Sequence, residues 1–330
     1  MKLTFFLIAF FLMLLGVYFS KAGFGHHGSS HGTMVSKGDN YIEEVSWDGK
    51  ARLSDDEKSV AEITPGGYLK FRENDTTLKA ESNLQGEISY TLYNGRENLP
   101  LNDSGRRFIA VILQKMIAMG FYSEGRAERI YKNGGTKALL AELPHLRMDN
   151  AKGPYVDLLF KSDSLTRDDL ASLLRLTDSS ANDMERQNLL ARFTRDQLKD
   201  SALAKIWLGS VNHLPADFEK QNLLTRFIDQ GAVGGATYDS LLATIGHLNA
   251  DFEKQDLLTK LMKDSLSTPD QWIGVIRAVS QLDADFEKCP LLLQIVQKMP
   301  KDEKVKAACL AAAKTIRDDM EYGKVMRALE

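Results

Sequence analysis

From residue 135 onward, apolar side chains recur at fixed distances around one polar phrase. The phrase Ala216-Asp217-Phe218-Glu219-Lys220-Gln221-Asn222-Leu223-Leu224 returns as Ala250-Asp251-Phe252-Glu253-Lys254-Gln255-Asp256-Leu257-Leu258, then as Ala284-Asp285-Phe286-Glu287-Lys288-Cys289-Pro290-Leu291-Leu292. Its aspartates lie 34 residues apart, and the same register holds at Asp149, Asp183 and Asp319. Ten residues before the aspartates stand Leu139, Leu173, Trp207, Leu241, Val275 and Cys309; six before stand Leu143, Thr177, Val211, Ile245, Val279 and Ala313. All but Thr177 are apolar, so this is a packing register. After the phrase, Leu223, Leu224, Phe227 and Ile228 share one helical face. Each unit therefore predicts two antiparallel helices, and six registers at one period predict a stack in which every unit buries its apolar face against its neighbours. The acidic pair falls in the first turn of the second helix, where carboxylates suit the helix dipole and can cap free amides. Asp217 and Lys220 read as an exposed i,i+3 pair worth about 0.2–0.5 kcal/mol.

Before residue 102 the period shortens to two. Alternation with intervening turn residues predicts strands near 41–47, 50–53, 59–63, 67–73, 76–83, 87–93 and 96–99, an antiparallel meander of five to seven strands. Asp48-Gly49 and Asn94-Gly95 suit type I′ hairpins, and Thr64-Pro65-Gly66 suits a type II turn. Ile88, Tyr90 and Leu92 alternate with Ser89, Thr91 and Tyr93, so one face of that strand is expected to be buried, with the neighbouring helices as its cover. Asn102-Asp103-Ser104 opens an apolar helix ending at Gly120, and a basic helix from Ser123 closes at Asn133-Gly134-Gly135. The expected fold is α+β, mainly α: an N-terminal antiparallel β-meander followed by an α-solenoid of 34-residue hairpins. Its divisions are a β region over 41–101, a capping helix pair over 102–134 and helical repeats over 135–330.

The chain's beginning changes the picture. Lys2 precedes an uncharged run, Leu3 to Phe19, and then Ser20-Lys21-Ala22. This reads as a signal peptide over 1–22 or as an uncleaved anchor, and either places the remainder outside the cytoplasm, in the cell envelope. Residues 23–40, rich in Gly, Ser and His, read as a linker, with His26, His27 and His31 as incidental residues of a flexible stalk rather than a metal site. The formal net charge of −3 becomes −5 without Lys2 and Lys21, which argues against nucleic acid as a partner.

The hairpins are closer to HEAT-like repeats than to tetratricopeptide repeats, whose Trp, Leu-Gly and Tyr pattern is missing. Ile63-Thr64-Pro65-Gly66-Gly67-Tyr68-Leu69, Gly105-Arg106-Arg107-Phe108 and the Asp-Phe-Glu-Lys repeats carry a wider resemblance over roughly residues 41–330. The chain resembles uncharacterised exported bacterial proteins in which a small β region precedes such repeats. It is also similar to extracytoplasmic tails of some membrane metallopeptidases of the antibiotic-sensor type. The resemblance implies an exported accessory or sensory role. The His-Glu-x-x-His zinc helix of those peptidases does not occur here, so no protease activity carries over.

Candidate chemistry is sparse. His145, His213 and His247 share one position, four residues before a signature aspartate, where an imidazole suits the end of the first helix. Cys289 stands where other units have glutamine and reads as exposed; Cys309 reads as core; a disulfide between them is the lesser expectation. Gln187, Gln221 and Gln255, followed by Asn188, Asn222 and Asp256, recur outside the leucine stripe and form the candidate binding ladder. No catalytic residue, metal ligand or cofactor site is assigned. Two functions remain. One is a non-enzymatic protein-binding, scaffold or sensory module of the cell envelope whose partner is an envelope protein. The alternative is an envelope enzyme or regulatory subunit with a site at the junction of sheet and solenoid, which a cluster of buried polar residues there would favour.

Overall fold

The computed structural model describes residues 31–38, 41–178, 182–231, 233–264 and 266–330. The signal or anchor segment, His26 and His27 lie outside the described residues, as do the side chains of Asp149 and Thr177. The fold is α+β and mainly α: an antiparallel sheet, then an array of helical hairpins, with fourteen α-helices among the described residues. By its contacts the chain divides into two compact units, up to Leu158 and from Leu159 onward.

The first unit contains strands β1 (His31–Lys37), β2 (Ile42–Asp48), β3 (Ala51–Leu53), β4 (Val60–Ile63), β5 (Tyr68–Glu73), β6 (Thr76–Ser82), β7 (Ile88–Asn94) and β8 (Glu97–Asn98). Six form one antiparallel sheet in the order β1-β2-β5-β6-β7-β8, while β3 and β4 pair separately as a hairpin between β2 and β5. Register explains the alternation in sequence: Val45 opposes Phe71, Phe71 opposes Leu78, and Leu78 opposes Leu92. All four are buried, giving one continuous apolar row across four strands. Helix α1 (Asp103–Met119) contributes Ile109, Ile112, Leu113 and Met116 to the core of this unit. Asn102 caps it through its side chain on the amides of Ser104 and Gly105. Helix α2 (Ser123–Glu142) is interrupted at Gly135, where the glycine signal placed a helix end.

Three local expectations need correction. The span read as linker contains β1, whose Gly, Ser and His residues suit an edge strand that pairs on one side only. At the last hairpin the loop is Gly95-Arg96, not Asn94-Gly95, and only Gly95 has a positive φ, of 61°. That places glycine at the first central position, as a type II′ turn requires. Asp48-Gly49 closes no hairpin, because β2 and β3 belong to different sheets. The type II turn is as expected: Gly66 has φ 82° and the Gly67 amide donates to the Thr64 carbonyl at 2.8 Å.

The helices that follow are α3 (Asp149–Lys161), α4 (Arg167–Asp178), α5 (Asp183–Leu190), α6 (Arg195–Leu198), α7 (Ser201–Asn212), α8 (Asp217–Asp229), α9 (Gly235–Gly246), α10 (Asp251–Asp264), α11 (Pro269–Ser280), α12 (Asp285–Lys298), α13 (Glu303–Ala313) and α14 (Asp319–Leu329). First helices begin at 167, 201, 235, 269 and 303, and second helices at 183, 217, 251, 285 and 319, so the period of the sequence is the period of the structure. The residues ten and six before the aspartates are buried throughout, Thr177 aside. Helix α5 is short because Thr194 starts α6 with a capping box closed by Gln197. The carbonyls left free at its end accept from other units: Leu190 from the Trp207 indole at 3.0 Å, and Ala191 from Arg226. Trp207 also stacks on Phe227, with centroids 5.4 Å apart. Trp207→Ala is therefore expected to cost about 3–5 kcal/mol in equilibrium urea denaturation, as large core truncations do; a loss below about 1 kcal/mol would remove Trp207 from the core assignment.

Candidate functional site

The signature aspartate does not cap its own helix. The N-cap residues of α8 and α12 are Ala216 and Ala284, which provide no side-chain cap. The carboxylate reaches forward into the next unit. Asp217 Oδ2 accepts from the amides of Asn249 at 2.6 Å and Ala250 at 2.9 Å. Asp251 repeats this with Asp283 at 2.6 Å and Ala284 at 2.9 Å, and Asp285 with Arg317 at 2.8 Å and Asp318 at 2.9 Å. Each carboxylate thus bonds both amides of the turn joining the two helices of the following hairpin. Its other oxygen faces the cation three residues on: Lys220 at 3.6 Å, Lys254 at 3.1 Å and Lys288 at 3.7 Å. These lysines are turned inward and largely enclosed, so the pairs are not the exposed helix pairs that spacing suggests. Asp183 pairs with Arg186 at 2.8 Å, and Arg186 donates to the His213 carbonyl at 3.0 Å; the residue matching Asn249 there is Pro215, which has no N–H.

Burial alone would raise the pKa of Asp217, Asp251 and Asp285, but the paired amides and the lysine outweigh it and hold all three below the usual carboxylate range. The third residue of the phrase behaves oppositely. Glu219, Glu253 and Glu287 each keep one buried oxygen without a hydrogen-bond partner. Glutamate at this position would normally bond the N-cap amide. In α10 and α12 that amide, of Ala250 or Ala284, is already held by the preceding aspartate. Burial first, then the charges of Asp251 and Glu253, raise the pKa of Glu287.

The second residue of the phrase points outward. Met184, Phe218, Phe252, Phe286 and Met320 are between 59% and 72% exposed, one from each of five consecutive second helices. This row escaped the sequence reading, which treated the phrase as cap and closure; the signal was an aromatic or methionine side chain recurring beside the aspartate, off the leucine stripe. The predicted ladder lies on the same helices: Gln187, Gln221 and Gln255 are half-buried, while Asn188, Asn222 and Asp256 are exposed. Gln221 donates to Asp256 at 3.1 Å, so part of the ladder is bonded between units.

Other candidates resolve differently. His213 and His247 are the C-cap residues of α7 and α9, as expected, and His145 ends the 3-10 turn Leu143–His145. Among the described residues no group of three or more His, Cys, Asp or Glu could hold a metal ion. Cys289 is buried, contrary to expectation, with its thiol 3.6 Å from the Glu321 carbonyl of the terminal hairpin. Both cysteines are free, and burial pushes their thiols up, to about 12 for Cys289 and about 11 for Cys309, so neither has thiolate reactivity.

A buried polar cluster lies within the first unit, where the β3–β4 hairpin meets α2 and α3. Glu57, at φ 59° in the left-handed region, accepts from Arg126 Nε at 2.7 Å and from Arg129. Arg126 also pairs with Glu142 at 2.9 Å and donates to the Tyr155 hydroxyl at 2.9 Å. Burial opposes charge on Glu57 and Arg126, yet their mutual bonds outweigh it, lowering the pKa of the acid and raising that of the base. In the same unit, buried Glu43 places both oxygens against one Arg147 nitrogen, at 2.9 and 3.1 Å. These residues fix the hairpin and helices to one another.

Comparison with known proteins returns no matching family model, no matching curated protein and no matching solved structure.

Asp251→Ala leaves an enclosed lysine and two amides without their acceptor. It is expected to cost about 3–5 kcal/mol, as breaking a buried pair does, rather than the 0.5–2 of a lost cap. Adding Lys254→Met should recover part of that loss in urea melts; a double variant no better than the single would show the lysine to be satisfied elsewhere. Because these aspartates have depressed pKa values when folded, their contribution is complete above the unfolded value of about 3.9 and is lost as pH falls below it through the folded values. An acid titration of stability should show this loss, and it should be smaller in Asp251→Asn.

Proposed function

We propose that the chain is a non-enzymatic binding module that engages another protein through the second-helix edge of its repeat array. The observation that carries this reading is the row of five outward apolar side chains, Met184 to Met320. Single exposed apolar residues need no explanation, but a row at one structural position in consecutive units is an extended apolar surface of the kind that interaction sites use. Gln221, Asn222, Gln255 and Asp256 flank it with polar groups, as a rim flanks an interface core. The hydrophobic run after Lys2 supports export to the cell envelope, where the partner would be another envelope protein. No helix among the described residues is long and apolar enough to cross a membrane.

The alternative, an enzyme or regulatory subunit, has one observation in its favour: the buried cluster of Glu57, Arg126, Arg129, Glu142 and Tyr155. Its charges are bonded to one another, and this favours a structural role for them.

A photo-crosslinking residue at Phe252 is expected to form a discrete protein adduct in the source cells, and one at the exposed Asp239 of a first helix is not. Replacing Gln221, Asn222, Gln255 and Asp256 with alanine should leave the melting temperature nearly unchanged and weaken that adduct. Equal adducts at both positions would count against the edge as a specific surface, and steady-state turnover of a small molecule by the purified protein would replace binding with catalysis.

A further inference from the structure

The charge around the apolar row is one-sided. Residues 182–188, 213–222, 247–256, 281–290 and 315–324 carry thirteen acidic and six basic side chains, while the whole chain is only −3, so the remainder is net positive. Four of those six cations, Arg186, Lys220, Lys254 and Lys288, are turned inward onto the signature aspartates. A fifth, Lys324, pairs with Glu321 at 2.7 Å, and the sixth, Arg317, is exposed on the terminal hairpin. Facing solvent are Asp256, Asp283, Asp318 and Asp319, and Glu219, Glu253 and Glu287 each hold one buried oxygen with no hydrogen-bond partner. Exposed apolar groups therefore sit in an acidic field.

Spacing narrows the partner further. Packed helices lie about 8–10 Å apart, which sets the step between successive Phe and Met side chains. A polyproline II segment rises about 3.1 Å per residue with three residues per turn, so every third side chain falls on one face at about the same step.

Resting on the reading of this edge as a binding surface, we infer that its occupant is an extended, basic polypeptide segment with an apolar side chain at every third position. Its apolar groups pack between Phe218, Phe252 and Phe286, and its lysines or arginines meet Asp256, Asp283 and Asp319.

Three labelled peptides test this by fluorescence anisotropy against the full chain: repeating Leu-Lys-Pro, Leu-Glu-Pro and Ser-Lys-Pro. The Leu-Lys-Pro peptide is expected to bind, weaken as salt rises, and exceed both others by about tenfold or more, as loss of an interface anchor or its charge partner does. Phe218→Ala with Phe252→Ala and Phe286→Ala should weaken it by a similar factor, with the thermal melt as the folding control. Asp256→Asn with Asp283→Asn and Asp319→Asn should instead remove most of its salt dependence. Equal or tighter binding of Leu-Glu-Pro overturns the assigned charge and leaves the binding edge standing. Failure of all three peptides, with the Phe252 adduct still formed in cells, overturns the extended segment alone; failure of both removes the edge as well. Self-association in sedimentation velocity that the Phe triple variant abolishes would make a second copy of this chain the occupant and overturn the inference.

Discussion

The array depends on one bond pattern: a carboxylate of one hairpin accepting both amides of the next hairpin's turn. Backbone amides in a helix–helix turn have no helical partner and take an acceptor from elsewhere. Supplying it from the preceding unit, at Asp217, Asp251 and Asp285, makes the turn of each hairpin part of its neighbour's structure. Apolar burial drives hairpins together without direction, whereas this bond specifies one register between them. The buried lysine three residues on balances the carboxylate, so neither charge is isolated.

The same pattern determines what the surface can offer. With aspartate and lysine committed inward, the residue between Asp and Glu is left on the outside, and there the chain places phenylalanine or methionine. Lys220, Lys254 and Lys288 are withdrawn from the edge while exposed acids remain on it, giving an anionic, apolar strip. The first and last letters of one four-residue word thus join the units, and its second is left to the surface.

Much of this was legible in the sequence. The period, the helix pairs and the buried positions followed from apolar spacing, because a residue such as Trp207 or Val275 declares its burial by recurrence at equivalent sites. Strand limits came within a residue of those observed because turn residues punctuate them. Three things were hidden for physical reasons. β1 lacks an apolar face, since an edge strand needs only backbone pairing on one side. The aspartate's partners are amides, which have no letter in the sequence, so an inter-unit bond looked like a local cap. Glu57 and Arg126 are 69 residues apart and follow no period, so nothing marked their meeting. Of the site, the polar ladder was visible as recurrence, but exposure of Phe218 and its equivalents was not, since an aromatic beside a leucine stripe reads as core.

Pro215 makes one joint of the array unlike the others. Where Asn249, Asp283 and Arg317 each offer an amide, proline has none, and Arg186 reaches the His213 carbonyl instead. The preceding second helix is also the one cut short at Leu190. In a linear array, cooperativity is only as long as its uninterrupted run of equivalent contacts. The segment from Asp217 to the terminal hairpin should therefore exchange its amide protons as a single foldon, with a boundary in protection falling between α5 and α8. A proline thus marks the joint of a uniform-looking repeat at which an arginine replaces the paired-amide bond.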